Sequence, residues 1–328
     1  MRAVVLSEFG PPQNLAVAEV PDPVPGPGQA LVDVHFASIT FVETQVRAGR
    51  APNPAMLPSL PAVLGNGVGG VVASAGAQAD PALAGRQVIT TTGGSGGYAE
   101  RVAVDAAGLI EIPAGLALAD AVALLADGRT AVALVRAADL RPGQTVLVEA
   151  AAGGVGGLLV QLARGAGARV LAAAGGQRKT AVARDLGADV AVDYSAPGWA
   201  GEIAAAGPVD VVFDGVGGET GAAALGLVRE GGRFCGFGMA SGSFAAIDAG
   251  ETARRGITVV RGGPLGAEQQ RDLTLAALAE ATAGRLHPVI GQTFPLERAG
   301  DAHAAIAARA TVGKTLLRTR AAPPGGVP

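Results

Sequence analysis

The residues with the clearest chemical potential are glycines that follow directly on an apolar run. Residues 145–149 read TVLVE, which is typical of a buried strand, and an apolar helix pattern opens at Leu158. Glycines occupy positions 153, 154, 156 and 157 between them. A phosphate can approach backbone N–H groups at a helix N-terminus only where no Cβ intervenes, and the helix dipole favours its negative charge. The pattern therefore indicates a phosphate-binding turn.

The spacing of this turn is AxxGxxG, formed by Ala150, Gly153 and Gly156. It is a variant of the dinucleotide-binding fingerprint, which gains weight when a strand precedes it and a helix follows. A second strand pattern arrives at residues 169–174, as a βαβ unit requires. The sequence thus predicts a dinucleotide site, and the alternative is that these glycines serve only to pack a helix closely on a sheet.

The end of that second strand bears on which dinucleotide binds. NAD-selective sites place an acidic residue there, whereas this chain continues with small residues from Ala173 to Gly176. Arg178 and Lys179 follow at the start of the next helix pattern. Small residues leave space for a 2′-phosphate and the two cations would attract it, so we expect NADPH. The alternative is that Arg178 and Lys179 form only a solvated helix start.

The elements that must position this turn suggest an α/β chain of two domains. The chain has 328 residues, more than one core usually holds. Its first hundred residues alternate short β-rich runs with Pro and Gly, and from Ala117 strand and helix patterns alternate as in a parallel sheet. We predict a Rossmann NADP-binding domain at 120–262, and a discontinuous β-rich domain at 1–119 and 263–328.

The composition excludes several classes of protein. A net charge of −3 means that the chain has no excess of basic residues, which a protein that binds nucleic acid or an anionic membrane usually has. The single cysteine, Cys235, and three histidines cannot supply an internal disulfide or a thiolate-rich metal site. We see neither a signal peptide nor an apolar run of the roughly 18 residues that a membrane span needs. A soluble, cytoplasmic protein is expected.

Several longer stretches together resemble one family. They are MRAVVLSEFGPP at the start, PGPGQALVDV, GGYAERVAV (96–104), LRPGQTVLVEAAAGGVG (140–156), LGADVAVDY (186–194), VDVVFDGVGGET (209–220), GRLHPVIGQTFPLERAGDAHAAI and TVGKTLL. On these the chain is similar, over nearly its whole length, to the zinc-free medium-chain dehydrogenases/reductases of the quinone oxidoreductase, or zeta-crystallin-like, family. The resemblance implies a GroES-like β-rich catalytic domain, a Rossmann domain with a doubly wound parallel sheet, a cleft between them, and a homodimer built through the cofactor domains.

The resemblance also implies cofactor contacts at matching positions. Gly153, Gly154, Val155 and Gly156 belong to the pyrophosphate turn. Gly176, Lys179 and Tyr194 would surround the 2′-phosphate with Arg178, and Thr130, Phe237 and Gly238 would lie toward the nicotinamide. Tyr194 could equally be a packing residue at a strand end.

Departures from the zinc-dependent relatives narrow the chemistry. Those relatives place Cys, His and Glu where this chain has Thr40, Asn66 and Gly67, so the residues present cannot form that zinc site. Zinc-free relatives often carry a tyrosine where this chain has Gln45. Hydride transfer to an isolated ketone needs a metal or a strong proton donor for the alkoxide, whereas a quinone or an enone spreads its charge. Conjugated acceptors are therefore favoured.

Candidates for the groups that polarise the acceptor are weak. Thr40 and Gln45 could donate hydrogen bonds to it. Glu43, Asp127 and Arg129 are charged residues in segments that the family resemblance places near the cleft. His303 is expected on a helix surface. We predict an NADPH-dependent reductase of quinones or α,β-unsaturated carbonyls. An enoyl-thioester reductase of a biosynthetic pathway and a cofactor-binding protein with little catalysis remain the alternatives.

Overall fold

The computed structural model describes residues 1–261 and 265–319. The chain divides into two compact units, one of Met1–Ala126 with Ile290–Pro328 and the other of Asp127–Val289. The predicted boundary between residues 262 and 263 falls on residues outside the described ranges, and the structure instead divides the chain after Val289. Contacts explain the difference, because Gln161 of the second unit donates to the His287 carbonyl and Arg129 donates to Gln270.

The first unit is built mainly from strands. Its elements are β1 (Arg2–Leu6), β2 (Leu15–Glu19), β3 (Gln29–Ile39), α1 (Phe41–Arg47), β4 (Ala62–Val63), β5 (Gly67–Ala75), β6 (Gln87–Thr91), β7 (Arg101–Asp105), β8 (Ile110–Glu111), the beginning of α2 (Leu118–Ala138), and, after the second unit, β15 (Ile290–Pro295), α9 (Ala299–Ala307) and β16 (Lys314–Arg318). One sheet has the order β2-β1-β4 and the other β15-β16-β3-β5-β6-β8, with β7 also paired to β3. The C-terminal strand β16 thus runs antiparallel to β3.

The second unit is an alternation of strands and helices. After the end of α2 it contains β9 (Thr145–Glu149), α3 (Gly154–Gly165), β10 (Arg169–Ala174), α4 (Gln177–Asp185), β11 (Val190–Asp193), α5 (Trp199–Ala205), β12 (Val209–Asp214), α6 (Gly218–Leu227), β13 (Val228–Gly236), α7 (Ala249–Arg254), β14 (Thr258–Arg261) and α8 (Ala267–Thr282). Its parallel strands follow the order β11-β10-β9-β12-β13-β14. This is the Rossmann order, so the predicted fold class is confirmed.

The core of the second unit explains why these strands form. The central residues of β9, β10 and β12 are fully buried, as apolar runs covered by helices on both sheet faces must be. The order reverses between β9 and β12, and ligands of open α/β sheets bind beyond the carboxyl ends of strands at such a point. The functional turns are therefore expected after β9 and its neighbours.

A membrane-spanning helix is absent from the described part of the chain, where none combines the necessary length and apolar character.

Candidate functional site

The turn after β9 is shaped by backbone that leaves no room for side chains. Ala150 has a φ of +50°, and its carbonyl oxygen accepts the Gly153 N–H at 2.8 Å. A Cβ on Gly156 would lie 2.2 Å from that same oxygen, so only glycine fits there. Gly153 caps α3 without any side-chain hydrogen bond. Because the first N–H groups of a helix lack intrahelical partners, Gly153, Gly154 and Val155 form the bare helix start that an anion requires.

Asp127 lies beside this helix start. A Cβ on Gly154 would be 1.9 Å from the Asp127 Oδ2, and the Asp127 side chain is buried in the second unit. The positive end of a helix dipole stabilises a carboxylate in such a place. A bound pyrophosphate would share the N-terminus of α3 with this charge. Asp127 is thus positioned at the glycine turn between β9 and α3.

The residues predicted for the 2′-phosphate come together after β10 and β11. Gly176 caps α4 with a φ of +85°, and a Cβ there would face open space. Arg178 is exposed and Lys179 half-buried in the first turn of α4, where two cations oppose the helix dipole unless an anion is bound. The ring of Tyr194 would lie 3.3 Å from a Cβ on Gly175. These residues fit the adenosine end of a dinucleotide.

Asp193 is a neighbour of this cluster that sequence reasoning missed. Its Oδ1 accepts the Gly176 N–H at 2.8 Å and both the N–H and the hydroxyl of Ser195, at 2.9 and 2.5 Å. These bonds, the Ser195 hydroxyl first, hold the pKa of the Asp193 carboxyl below its usual value. The available signal was the acid directly before Tyr194 at a strand end. Asp193 thus holds the backbone of Gly176, the residue that caps α4, with its carboxylate.

The predicted nicotinamide-side residues belong to the turns after β12 and β13. The N–H groups of Phe237 and Gly238 both donate to the Asp214 carbonyl, at 2.9 and 3.2 Å. A Cβ on Gly238 would lie 2.3 Å from the Gly215 carbonyl oxygen, so the two turns are in direct contact. Thr130 lies half-buried on α2.

In the first unit, Thr40 and Gln45 lie on or beside α1. The Thr40 hydroxyl donates to Glu43 Oε2 at 3.0 Å, while the Thr40 N–H donates to the same oxygen at 2.5 Å. The other Glu43 oxygen accepts the Asn66 N–H at 2.8 Å. Gln45 Nε2 donates one N–H to Thr44 Oγ1 at 3.1 Å, and an amide nitrogen carries a second N–H. The hydroxyl hydrogen of Thr40 is therefore already used, whereas Gln45 has a second N–H that could be donated to another group.

Glu43 is buried and acts as a structural acceptor. Burial raises the pKa of its carboxyl, whereas the bonds from Thr40 and Asn66 and the charge of Lys314 act in the opposite direction. With both oxygens engaged in holding α1 to the segment at Asn66, Glu43 is not presented to a substrate. The α1 segment thus offers an amide and a hydroxyl rather than a strong acid.

His303 is buried, so its expected place on a helix surface is wrong. Its side chain is 0% exposed on α9, and its Nε2 lies 3.1 Å from the Tyr98 hydroxyl. Burial, with the nearby charge of Arg47, lowers the pKa of His303 to about 3. The sequence DAHAAIAAR carries no charge pattern that separates an inward from an outward histidine. The tertiary contact with Tyr98 shows that His303 faces the core.

Within residues 1–261 and 265–319, the one cysteine is buried and no cluster of metal-ligating side chains is found. Cys235 is fully buried in β13, and burial raises the pKa of its thiol to about 12. No group of three or more His, Cys, Asp or Glu side chains in those ranges could hold a metal ion.

Comparisons with known proteins find two family models that match the chain. Residues 26–114 match the family model for the alcohol dehydrogenase GroES-like domain, and residues 186–317 match the model named zinc-binding dehydrogenase. A quinone oxidoreductase of Pseudomonas aeruginosa is 30% identical over 325 residues, covering 96% of this chain and 99% of that protein. A 2-haloacrylate reductase of Burkholderia sp. is 32% identical over 331 residues, covering 97% and 99%.

Among solved structures, the quinone oxidoreductase of Escherichia coli in complex with NADPH has a TM-score of 0.88 at 26% identity, covering 97% of this chain and all of that one. The fold and the glycine turn thus define a two-domain reductase of the medium-chain class. This chain belongs to the quinone oxidoreductase family of the medium-chain dehydrogenases/reductases, which use NAD(P)H. The predicted family is confirmed.

Proposed function

We propose that this protein transfers a hydride from NADPH to a quinone or to an α,β-unsaturated carbonyl compound without a metal ion. The observation that carries the proposal is the hydrogen-bond state of the α1 segment. There the one carboxyl, that of Glu43, is turned onto the backbone of Thr40 and Asn66, and an amide N–H of Gln45 is left for an acceptor oxygen. Such donors suit an acceptor that spreads its own charge.

The choice of NADPH rests on the N-terminus of α4. Arg178 and Lys179 lie in its first turn, where an anion relieves their conflict with the helix dipole, and Gly176 leaves open space in front of them. Arginine and lysine are the usual partners of a phosphate. Asp193 works against an added phosphate, so the two cations must outweigh it.

The residues that would hold the dinucleotide follow from the turns described above. Gly153, Gly154, Val155 and Gly156 would receive the pyrophosphate on bare backbone, and Gly176, Arg178, Lys179 and Tyr194 would surround the adenosine 2′-phosphate, with Thr130, Phe237 and Gly238 toward the nicotinamide. The reduced nicotinamide supplies the hydride when it is bound.

In the proposed reaction, the chain's own contribution is orientation and a neutral hydrogen bond. Gln45 would donate its second N–H to the acceptor oxygen, on which charge develops as the double bond is reduced. The Thr40 hydroxyl already donates to Glu43 and would orient the start of α1. Water then supplies the proton, to the α-carbon of the enolate or to the oxygen of the hydroquinone anion, so no acidic side chain is required.

An enoyl thioester is the second candidate acceptor. The observation in its favour is that Gln45, with half-buried Phe41 beside it on α1, replaces the phenol found in many quinone reductases. An amide can bind a thioester carbonyl as well as a quinone oxygen.

We also propose that the protein is a homodimer built through its second unit. Light scattering, which measures the mass of the particle in solution, tests whether the protein is a dimer.

The test is NADPH consumption by the purified protein with a naphthoquinone, an enone and an enoyl thioester, with NADH in parallel. Oxidation with the quinone or the enone supports the proposal, and oxidation with the thioester alone selects the second candidate. Tight NADPH binding without oxidation by any of the three would show a cofactor-binding protein with little catalysis and would contradict the proposal.

A further inference from the structure

Two buried carboxyl groups lie at the carboxyl edge of the sheet, at the point where the strand order reverses. Glu149 ends β9 and Asp214 ends β12, and the side chains are 0% and 1% exposed. Phe213 is the register partner of Val148, so the next residues of these parallel strands, Asp214 and Glu149, lie abreast on one face. Neither carboxyl takes part in the proposed reaction.

Their hydrogen bonds are unequal. Asp214 Oδ1 accepts the N–H groups of Val216 and Gly217, at 2.8 and 2.7 Å. Both oxygens of Glu149 are buried, and no N–H or O–H group of the described residues donates to them. Two adjacent carboxylates cannot both stay ionised in an apolar environment. A proton on Glu149 relieves this repulsion, and in that form the Glu149 carboxyl can donate to Asp214.

The surroundings of Glu149 support this assignment. Burial first, and then the hydrogen bond and the negative charge of Asp214, raise the pKa of Glu149 well above its ordinary value. On its other side β10 places Ala173 in register with Glu149, which brings no charge. No cation is among the groups that shift the pKa of Glu149. These surroundings favour the protonated form of Glu149, and in that form its carboxyl is a hydrogen-bond donor.

Asp214 connects three turns of the candidate dinucleotide site. Its side chain holds the turn at Val216 and Gly217, and its carbonyl oxygen accepts the N–H groups of Phe237 and Gly238. Glu149 directly precedes Ala150, whose carbonyl oxygen holds the glycine turn. A bond from Glu149 to Asp214 thus ties the predicted pyrophosphate turn to the two turns on the predicted nicotinamide side.

We propose that Glu149 is a positioning residue of the dinucleotide site, whose carboxyl proton holds Asp214 and the three turns in one arrangement. This inference rests on the proposed dinucleotide site. Glutamine at position 149 keeps a donor of the same shape. Methionine keeps the volume but leaves Asp214 beside an apolar group, with its second oxygen lacking that donor.

The experiment compares Glu149→Gln and Glu149→Met with wild type and with Glu202→Gln, an exposed control on α5. NADPH dissociation constants are measured by titration at pH 7 without any acceptor. We expect Glu149→Gln and Glu202→Gln to stay within about twofold of wild type and Glu149→Met to bind on the order of tenfold more weakly, since one buried hydrogen bond is lost. Equal affinity of the Met and Gln variants would overturn the inference.

Hydrogen exchange of the free protein separates this inference from the proposed function. In Glu149→Met the amides of Val216, Gly217, Phe237 and Gly238 should exchange faster, while those within β10 stay as in wild type, and Glu149→Gln should match wild type throughout. If wild type bound no dinucleotide, the proposed function would fail, and this exchange pattern would still decide whether Glu149 holds the turns. Unchanged exchange in Glu149→Met would refute that role.

Discussion

A Cβ on Gly156 would lie 2.2 Å from the carbonyl oxygen of Ala150, the atom that also closes the turn by accepting the Gly153 N–H. The turn cannot yield locally, because Ala150 already adopts a left-handed conformation. The tight shape of the glycine turn and the closeness of α3 to β9 thus depend on the same contact between Ala150 and Gly156.

Gly156→Ala should therefore destabilise the second unit and weaken dinucleotide binding together. We expect about 1–3 kcal/mol lower free energy of unfolding, as overpacking usually costs. Gly165→Ala, in the last turn of the same helix, meets nothing within 4 Å and should leave binding unchanged. Denaturant unfolding and NADPH titration check both variants. If Gly156→Ala behaved like Gly165→Ala, the turn would not need its bare backbone.

The Arg178→Ala/Lys179→Ala variant should bind NADPH on the order of tenfold more weakly and leave NADH affinity nearly unchanged, because in the proposed site only the 2′-phosphate would contact these cations. The loss should shrink at high salt, since exposed charges are screened. Arg136→Ala, an exposed change on α2, is the control. Parallel titrations with both dinucleotides give the answer, and an equal loss for NADH would remove the argument for NADPH.

Gln45→Leu should lower kcat with a conjugated acceptor by about tenfold, as expected for the loss of one neutral hydrogen bond. Thr40→Val should act mainly on stability, because the Thr40 hydroxyl caps α1 and donates to Glu43. Steady-state kinetics and thermal unfolding separate the two effects. A larger fall in kcat for Thr40→Val than for Gln45→Leu would show that their roles are reversed.

His303 should make the protein sensitive to acid. Its pKa is about 3 in the folded chain against an ordinary 6.5, so between these values the unfolded chain binds a proton that the folded chain does not. The free energy of unfolding should fall as pH drops through this window, by up to about 1.4 kcal/mol per pH unit.

His303→Gln should reduce that slope, as seen in denaturant unfolding at pH 5 and pH 7. His287→Gln, a change of the same kind at an exposed histidine, is the matched control. Identical slopes for wild type and His303→Gln would contradict the buried, neutral state of His303.

The sequence predicted the strand, the glycine turn and the helix of residues 145–165 well because these three parts are consecutive in the chain. The cluster of Gly176, Lys179 and Tyr194 was reachable through the family resemblance. Asp193 and the pair of Glu149 with Asp214 were not, since their significance comes from which strands are neighbours in the sheet. His303 was misplaced for the same reason, as only tertiary contact with Tyr98 shows that it is buried.

The most direct test of the central claim is NADPH oxidation with a matched pair of acceptors, an enone and the saturated ketone of the same carbon skeleton. The two differ only in the C=C double bond, which lets a hydride add to the β-carbon while the charge is shared by the α-carbon and the oxygen. We predict turnover of the enone and none of the ketone above background. Turnover of the ketone at a rate equal to or above that of the enone would contradict the proposed chemistry.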